Sequence, residues 1–319
     1  MRDSILNFAK QFEYNPVIEN SESLKASNNF IVAGMGGSHL AADLLTIWEP
    51  SLDIIVHKDY GLPAIPDLAS RLLVAISYSG NTEETLDAYQ EGVEKGLTTL
   101  AISTGGKLIA LAQGQSRPYI KLPETGLQPR LATGMILKAL LAAIGKTETV
   151  AELAKLAQTL KPEVYELKGQ ELAKKLQGSI PVVYSSTHNF AIANNWKIKL
   201  NETGKIPAFA NALPELNHNE MTGFDVQEKT RALSGGFHFV FLTDQNDHPK
   251  VQKRMTVLKT LYEDRGLPVE TVEIKGSSTF EEIFSCLILA DWTAYYTALD
   301  YGVEPEQVPM VEEFKKLIA

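Results

Sequence analysis

Short, almost wholly apolar runs alternate along the chain with longer stretches in which apolar residues recur every three to four positions. Residues 29–36 (NFIVAGMG), 52–58 (LDIIVHK), 71–77 (RLLVAIS), 97–103 (LTTLAIS) and 117–123 (RPYIKLP) read as strands. Residues 38–49, 82–96 and 107–114 carry the helical period, and a further helix follows Arg130 and runs to about 145. Strands that are apolar on both faces belong in a parallel sheet covered by helices.

A polar-studded helical stretch, 146–177, follows with a break at Pro162, and is expected to connect two domains. The rhythm then restarts with a strand at 179–186, a helix to about 203, strands at 237–243 and 268–274, and helices at 247–266 and 278–300. Residues 307–319 form a last helix, and the polar stretch 204–224 reads as a long loop. The expected fold is α/β, with two doubly wound domains, each a mainly parallel sheet flanked by helices. The boundary is expected near 150, giving domains 1–150 and 151–319.

Composition narrows the class. With 44% hydrophobic and 22% charged residues over 319 positions, the chain reads as a globular protein with a sizeable core. No apolar run approaches the roughly 18–20 residues that span a bilayer, and the first residues read as a helix rather than a leader. The one cysteine, Cys286, excludes an internal disulfide framework, suits a reducing cytoplasm and reads as a small apolar filler. A net charge of −9 argues against nucleic acid as the main partner.

Two loops carry the candidate chemistry. "GMGGSH", Gly34 to His39, lies between the first strand and its helix, where glycines admit close backbone approach and helix N–H groups attract anions. A dinucleotide fingerprint is broken by His39 in the third glycine position, and no phosphate-loop motif of the G-x-x-x-x-G-K-[ST] type occurs. "SYSGNTEET", residues 77–85, leaves the third strand, which neighbours the first in a doubly wound sheet. Helix capping needs one hydroxyl, and this loop offers three. Ser77, Ser79 and Thr82, with Gly36, Gly37 and Ser38 of the first loop, form a set suited to a phosphate monoester; a cap remains the alternative. The six histidines show no metal-ligand spacing, so no catalytic metal is expected.

These loops resemble the sugar isomerase (SIS) domain family, whose serine- and threonine-rich loops bind phosphosugars. "KLNETGKIPAFANALPELNHNEMTGF" (199–224), with "GMGGSHLAADLL", "ISYSGNTEETL", Pro129–Arg130 and the terminal helix, is similar to the bifunctional phosphoglucose/phosphomannose isomerases, a branch of the phosphoglucose isomerase superfamily. The resemblance covers nearly the whole chain.

It implies an aldose–ketose isomerase that needs no cofactor, works on glucose 6-phosphate and fructose 6-phosphate, and accepts mannose 6-phosphate in some members. Such a reaction requires a base between C1 and C2, a group that opens the ring, and a cation facing the enediolate. The resemblance gives these roles to Glu202 as base, His218 and Lys315 in ring opening, and Arg130 facing the enediolate. Glu202 is expected in the last helical turn, with Gly204 as the stop, where an anion meets the negative end of the dipole. Pairing of Glu202 with Lys199 or Lys205, a surface position for Arg130 and a solvated helix face for Lys315 remain open beside these roles. The family implies a site in the cleft between domains and a homodimer in which His218 serves the neighbouring subunit. Seven residues before Lys315, Val308 stands where the family often has threonine, a hydroxyl tied to accepting both C2 epimers. A non-catalytic phosphosugar sensor and an amino-sugar-phosphate isomerase or deaminase are the rival readings.

Overall fold

The structure, a computed structural model, describes residues 1–318. It divides into two compact units: Asn7–Leu160, and Met1–Leu6 together with the chain from Lys161 onward. The six leading residues, expected in the first domain, include a short helix α1 (Arg2–Leu6) that belongs to the second unit. Arg2 is paired with Glu166 at 2.9 Å and the terminal ammonium with Glu306 at 3.0 Å.

The first unit runs β1 (Asn29–Ala33), α2 (Leu40–Trp48), β2 (Asp53–His57), β3 (Leu72–Ile76), α3 (Glu83–Glu94), β4 (Thr98–Ser103), α4 (Gly106–Gly114), β5 (Tyr119–Lys121), α5 (Thr133–Ala143), α6 (Thr147–Leu153) and α7 (Leu156–Thr159). Its sheet is wholly parallel in the order β2-β1-β3-β4-β5. All five residues of β3 are buried, as a strand covered on both faces requires. α3 packs over Ile31, Ala33 and Leu73, and α3 with α4 over Ala75 and Ala101. The strand order reverses between β1 and β3, so the loops leaving those strands flank the crevice where such sheets bind ligands.

The second unit continues with α8 (Glu166–Leu176), β6 (Ile180–Ser186), α9 (Phe190–Glu202), β7 (Phe209–Leu213), α10 (Glu220–Gly223), α11 (Arg231–Ser234), β8 (Phe237–Asp244), α12 (Pro249–Glu263), β9 (Val269–Ile274), α13 (Thr279–Asp300) and α14 (Pro309–Ile318). Its sheet is also parallel, in the order β7-β6-β8-β9. Tyr184, Phe239, Phe241, Leu213, Leu216 and Tyr262 form one core cluster in this unit.

Two expectations are corrected. The stretch 204–224 is not one loop: β7 lies within it and pairs with β6, Val182 opposite Phe209 and Ser186 opposite Leu213. Its sequence, FANAL between Pro207 and Pro214, is alanine-rich and lacks the β-branched residues that mark a strand. Nor is 146–177 simply a connection: α8 packs along α13 and buries Gly169, Leu172, Ala173 and Leu176. Among the described residues no helix is long and apolar enough to cross a membrane.

Candidate active site

In the first unit four segments converge at the carboxyl ends of the central strands. The Ser38 hydroxyl, buried, accepts the Tyr78 N–H at 3.0 Å and so joins the loop after β1 to the loop after β3. Gly37 lies against Pro129 and Arg130: a Cβ there would sit 2.5 Å from Pro129 C and 2.6 Å from Arg130 N. Gly80 (φ +74°) meets a fourth segment, Ser103 to Gly106, with a Cβ placed 1.9 Å from Gly105 O. Only glycine fits either place.

The hydroxyls expected to hold phosphate divide into two kinds. Ser77 is fully buried, and its Oγ accepts N–H from Gly80 at 3.0 Å and from Thr82 at 3.3 Å. With both lone pairs engaged, its proton goes to Thr82 Oγ1, 2.8 Å away. That leaves the Thr82 proton to donate elsewhere. Thr82 occupies the cap position of α3 but makes no cap bond with its side chain. The capping alternative therefore does not describe its hydroxyl. Ser79 is exposed, its Oγ accepting the Asn81 N–H at 3.3 Å. Gly36 is exposed with φ +52°.

Arg130 is not a surface residue: it is 1% exposed, in a 3-10 turn (Pro129–Leu131) that enters α5. A distant side chain fixes that turn. Gln11 Nε2 donates to Leu131 O at 2.8 Å, and Gln11 Oε1 accepts N–H from Gly134 and Met135 at 3.1 and 3.3 Å. Gln11 thus supplies the cap that α5 lacks locally, a pairing over 120 residues that no local pattern announces.

In the second unit Glu202 is the last residue of α9, half-buried, as the spacing predicted. The helix stop differs by one residue: the left-handed position is Lys205 (φ 58°), not Gly204. Gly204 serves instead for tightness, since a Cβ there would come within 2.7 Å of Leu200 O. Lys199 is held by Asp291 in a buried pair at 2.6 Å. Lys205 Nζ donates to the Glu202 carbonyl at 2.6 Å and also to Gln307 O, placing a cation at the negative end of α9. The same ammonium ties the segment before α14 to the residue read as the base.

His218 closes a 3-10 turn (Glu215–His218) after β7 and is exposed. The residues around it are anchored. Leu216 is fully buried, Arg254 donates to Asn217 Oδ1 at 3.2 Å, and the Glu220 carboxylate accepts from Tyr184 O–H and from Asn211 Nδ2. Burial, reinforced by Tyr262 and Glu220, holds the Tyr184 phenol far above its ordinary value, so it stays a donor. Lys315, on α14, is 63% exposed and bonded to Glu312 at 2.9 Å, the solvated arrangement. Val308 lies just ahead of α14 and its carbonyl accepts the Val311 and Glu312 N–H groups.

Sequence reasoning missed the Ser103–Gly106 loop, although S-T-G-G at a strand end was a signal, and missed Gln11 and Glu220. Cys286 is buried, receives the Trp196 indole N–H at 3.3 Å, and has its thiol pushed up to about 12 by burial, which keeps it unreactive. Among the described residues no group of three or more His, Cys, Asp or Glu side chains is arranged to hold a metal ion.

Residues 166–318 match the family described as the bacterial phospho-glucose isomerase C-terminal SIS domain. The chain is 35% identical to a bifunctional phosphoglucose/phosphomannose isomerase of Caldicellulosiruptor bescii, over 100% of this chain and 99% of that relative. It is 33% identical to the protein of the same name from Aquifex aeolicus, over 97% and 95%. A solved structure of a putative phosphosugar isomerase from Clostridium difficile superposes with TM-score 0.71 at 15% identity, covering 99% of this chain and 97% of that one. That last likeness establishes the fold alone.

Proposed function

The chain belongs to the bifunctional phosphoglucose/phosphomannose isomerase family, and from that premise we propose that it interconverts glucose 6-phosphate and mannose 6-phosphate with fructose 6-phosphate. The observation that carries the reading is identity of 35% sustained over the full length of both chains, so that loops and candidate base are compared together.

In this reading the phosphate sits at the β1/β3 crevice, against Thr82 and Ser79 hydroxyls and the backbone of Gly36, Gly37 and Ser38. Ser77 acts behind them, fixing the loop. A neutral donor set of this kind binds the substrate and its transition state alike. His218 moves a proton as the ring opens, its imidazole having one nitrogen that donates and one that accepts. Lys315 assists in the same step. Glu202 removes the C2 proton of the open-chain aldose and returns one to C1, so the carbonyl migrates through a cis-enediol with no external oxidant or reductant. Arg130 faces the enediolate oxygens with a charge that persists at any working pH.

The exposure of His218 within one chain supports a homodimer in which it completes the partner's site. A cytoplasmic setting fits the substrates and the single buried thiol.

The test offers the purified protein glucose, mannose and glucosamine 6-phosphates side by side in an assay coupled to fructose 6-phosphate. The reading expects turnover of the first two and none of the third; release of ammonia from the amino sugar alone, or binding without turnover, contradicts it. For the dimer, Glu202→Gln and His218→Ala proteins, each slowed roughly 10²-fold or more to a residual rate, are unfolded together and refolded. Random mixing puts one intact site in about half the dimers, restoring roughly a quarter of wild-type activity. Heterodimers confirmed by mass spectrometry that stay at that residual rate place His218 in its own chain's service.

A further inference from the structure

We propose that Glu220 is a positioning residue for ring opening, acting through His218 by way of a clamp made with Tyr184 and Asn211. The inference rests on the catalytic reading of His218 given above. His218 itself is exposed at the end of a short 3-10 turn, a placement that leaves an imidazole free to sample many orientations. What confines it is the chain on either side. Upstream, Leu216 is fully buried in the core cluster and Asn217 is held by Arg254. Downstream, the fixed point is Glu220, whose two carboxylate oxygens are taken by different strands: Oε1 by Tyr184 O–H on β6, Oε2 by Asn211 Nδ2 on β7.

The clamp has features a surface hydrogen bond lacks. Tyr184 is fully buried, packed against Phe239, Phe241 and Tyr262 with ring centroids 5.4, 5.5 and 6.4 Å away, so its hydroxyl has one place to be. A bond from a neutral donor to a carboxylate is also roughly twice as strong as one between neutral groups. Asn219, between the two residues, takes its own tie: its Oδ1 accepts the Glu220 N–H at 2.6 Å and its Nδ2 donates to Glu215 at 2.8 Å. His218 therefore stands on a backbone pinned to the sheet at both ends. Its ring remains outside, available to a substrate.

Because the clamp acts on one residue of the reaction, its loss should register only while that residue is present. The experiment is a double-mutant cycle in the intact protein, following glucose 6-phosphate turnover. Glu220→Gln, an isostere, is expected to lower kcat about tenfold with KM little changed, and to lower it less than about twofold when His218→Ala is already in place. Tyr184→Phe should act in the same direction with a smaller fall and the same dependence on His218. A Glu220→Gln protein with wild-type kcat overturns the proposal. So does an equal fall in both backgrounds, which is what a merely structural residue produces. Should Glu220→Gln fail to fold, the Tyr184→Phe and His218→Ala pair completes the cycle under the same criteria. If His218→Ala alone retains full turnover, the role of His218 falls, and the clamp's role with it; if His218→Ala is slowed to a residual rate and Glu220→Gln lowers that rate by the same factor as in wild type, only the clamp is refuted.

Discussion

Gly37→Ala adds one methyl group at the point where the loop after β1 meets the turn bearing Arg130. The new Cβ would lie 2.5 Å from Pro129 C, 2.6 Å from Arg130 N and 2.8 Å from Pro129 O. Unbonded carbons rest about 3.5–4.0 Å apart, so the overlap is roughly 1 Å. All three neighbours are backbone, and the turn is fastened from behind by Gln11, so no rotamer change relieves the clash. The turn must shift, carrying Arg130. A displacement of ~1 Å in a group aligned with the reacting atoms lowers turnover on the order of 10²-fold. Overpacking also costs about 1–3 kcal/mol of stability. Gly96→Ala is the control: its φ of +75° is strained for alanine, yet nothing lies within 4 Å of the added carbon. It should lose about 1 kcal/mol of stability with kcat/KM unchanged. Both variants are compared by thermal unfolding and by the coupled glucose 6-phosphate assay. A Gly37→Ala enzyme whose kcat/KM stays within about threefold of wild type would show that the Gly37 contact does not govern Arg130.

Thr82→Val should raise KM for sugar phosphate with kcat little changed, whereas Ser77→Ala should also lower the unfolding temperature, because the Thr82 amide loses its acceptor and the Gly80 amide one of its two; an unchanged KM in both removes the loop from phosphate binding. Val308→Thr should raise turnover of mannose 6-phosphate relative to glucose 6-phosphate, and an unchanged ratio would detach this position from epimer choice. Burial holds the His238 imidazole below its ordinary value, so the folded protein takes up that proton at lower pH than the unfolded chain does. Below about 6.5 the unfolded state then carries more protons, and stability falls as pH falls towards the folded value. His238→Gln should flatten that slope in unfolding curves taken across the acid range; identical slopes would assign it to other groups.

The parts of this molecule legible in its sequence are those set by local pattern. β1, β3 and β4 are unbroken apolar runs, and the hydroxyl-rich exit of β3 stands beside that of β1 because alternating β and α segments leave few topologies. The end of α9 at Glu202 was readable from the glycine two residues on. What escaped was either locally weak or long-range. β7 is alanine-rich and bounded by prolines, so only its pairing with β6 makes it a strand. Thr82 occupies a cap position without capping, its hydroxyl lying instead against that of Ser77 five residues earlier. Gln11 and Arg130 are linked through a capped helix far along the chain, and Tyr184 reaches Glu220 across 36 residues. Spacing along a sequence carries no trace of such pairs.

The proposed reaction turns on Glu202 as the base that moves the proton between C1 and C2. Glu202→Gln keeps the shape and hydrogen-bonding reach of the side chain while removing its basicity. Calorimetric titration with fructose 6-phosphate, paired with kcat for the same preparation, separates binding from chemistry. With Glu202 as the base, the dissociation constant stays close to wild type and kcat falls by roughly 10²–10⁴-fold, the contribution of a general base; a variant that binds the sugar phosphate and keeps more than about a tenth of wild-type kcat would remove Glu202 from that role.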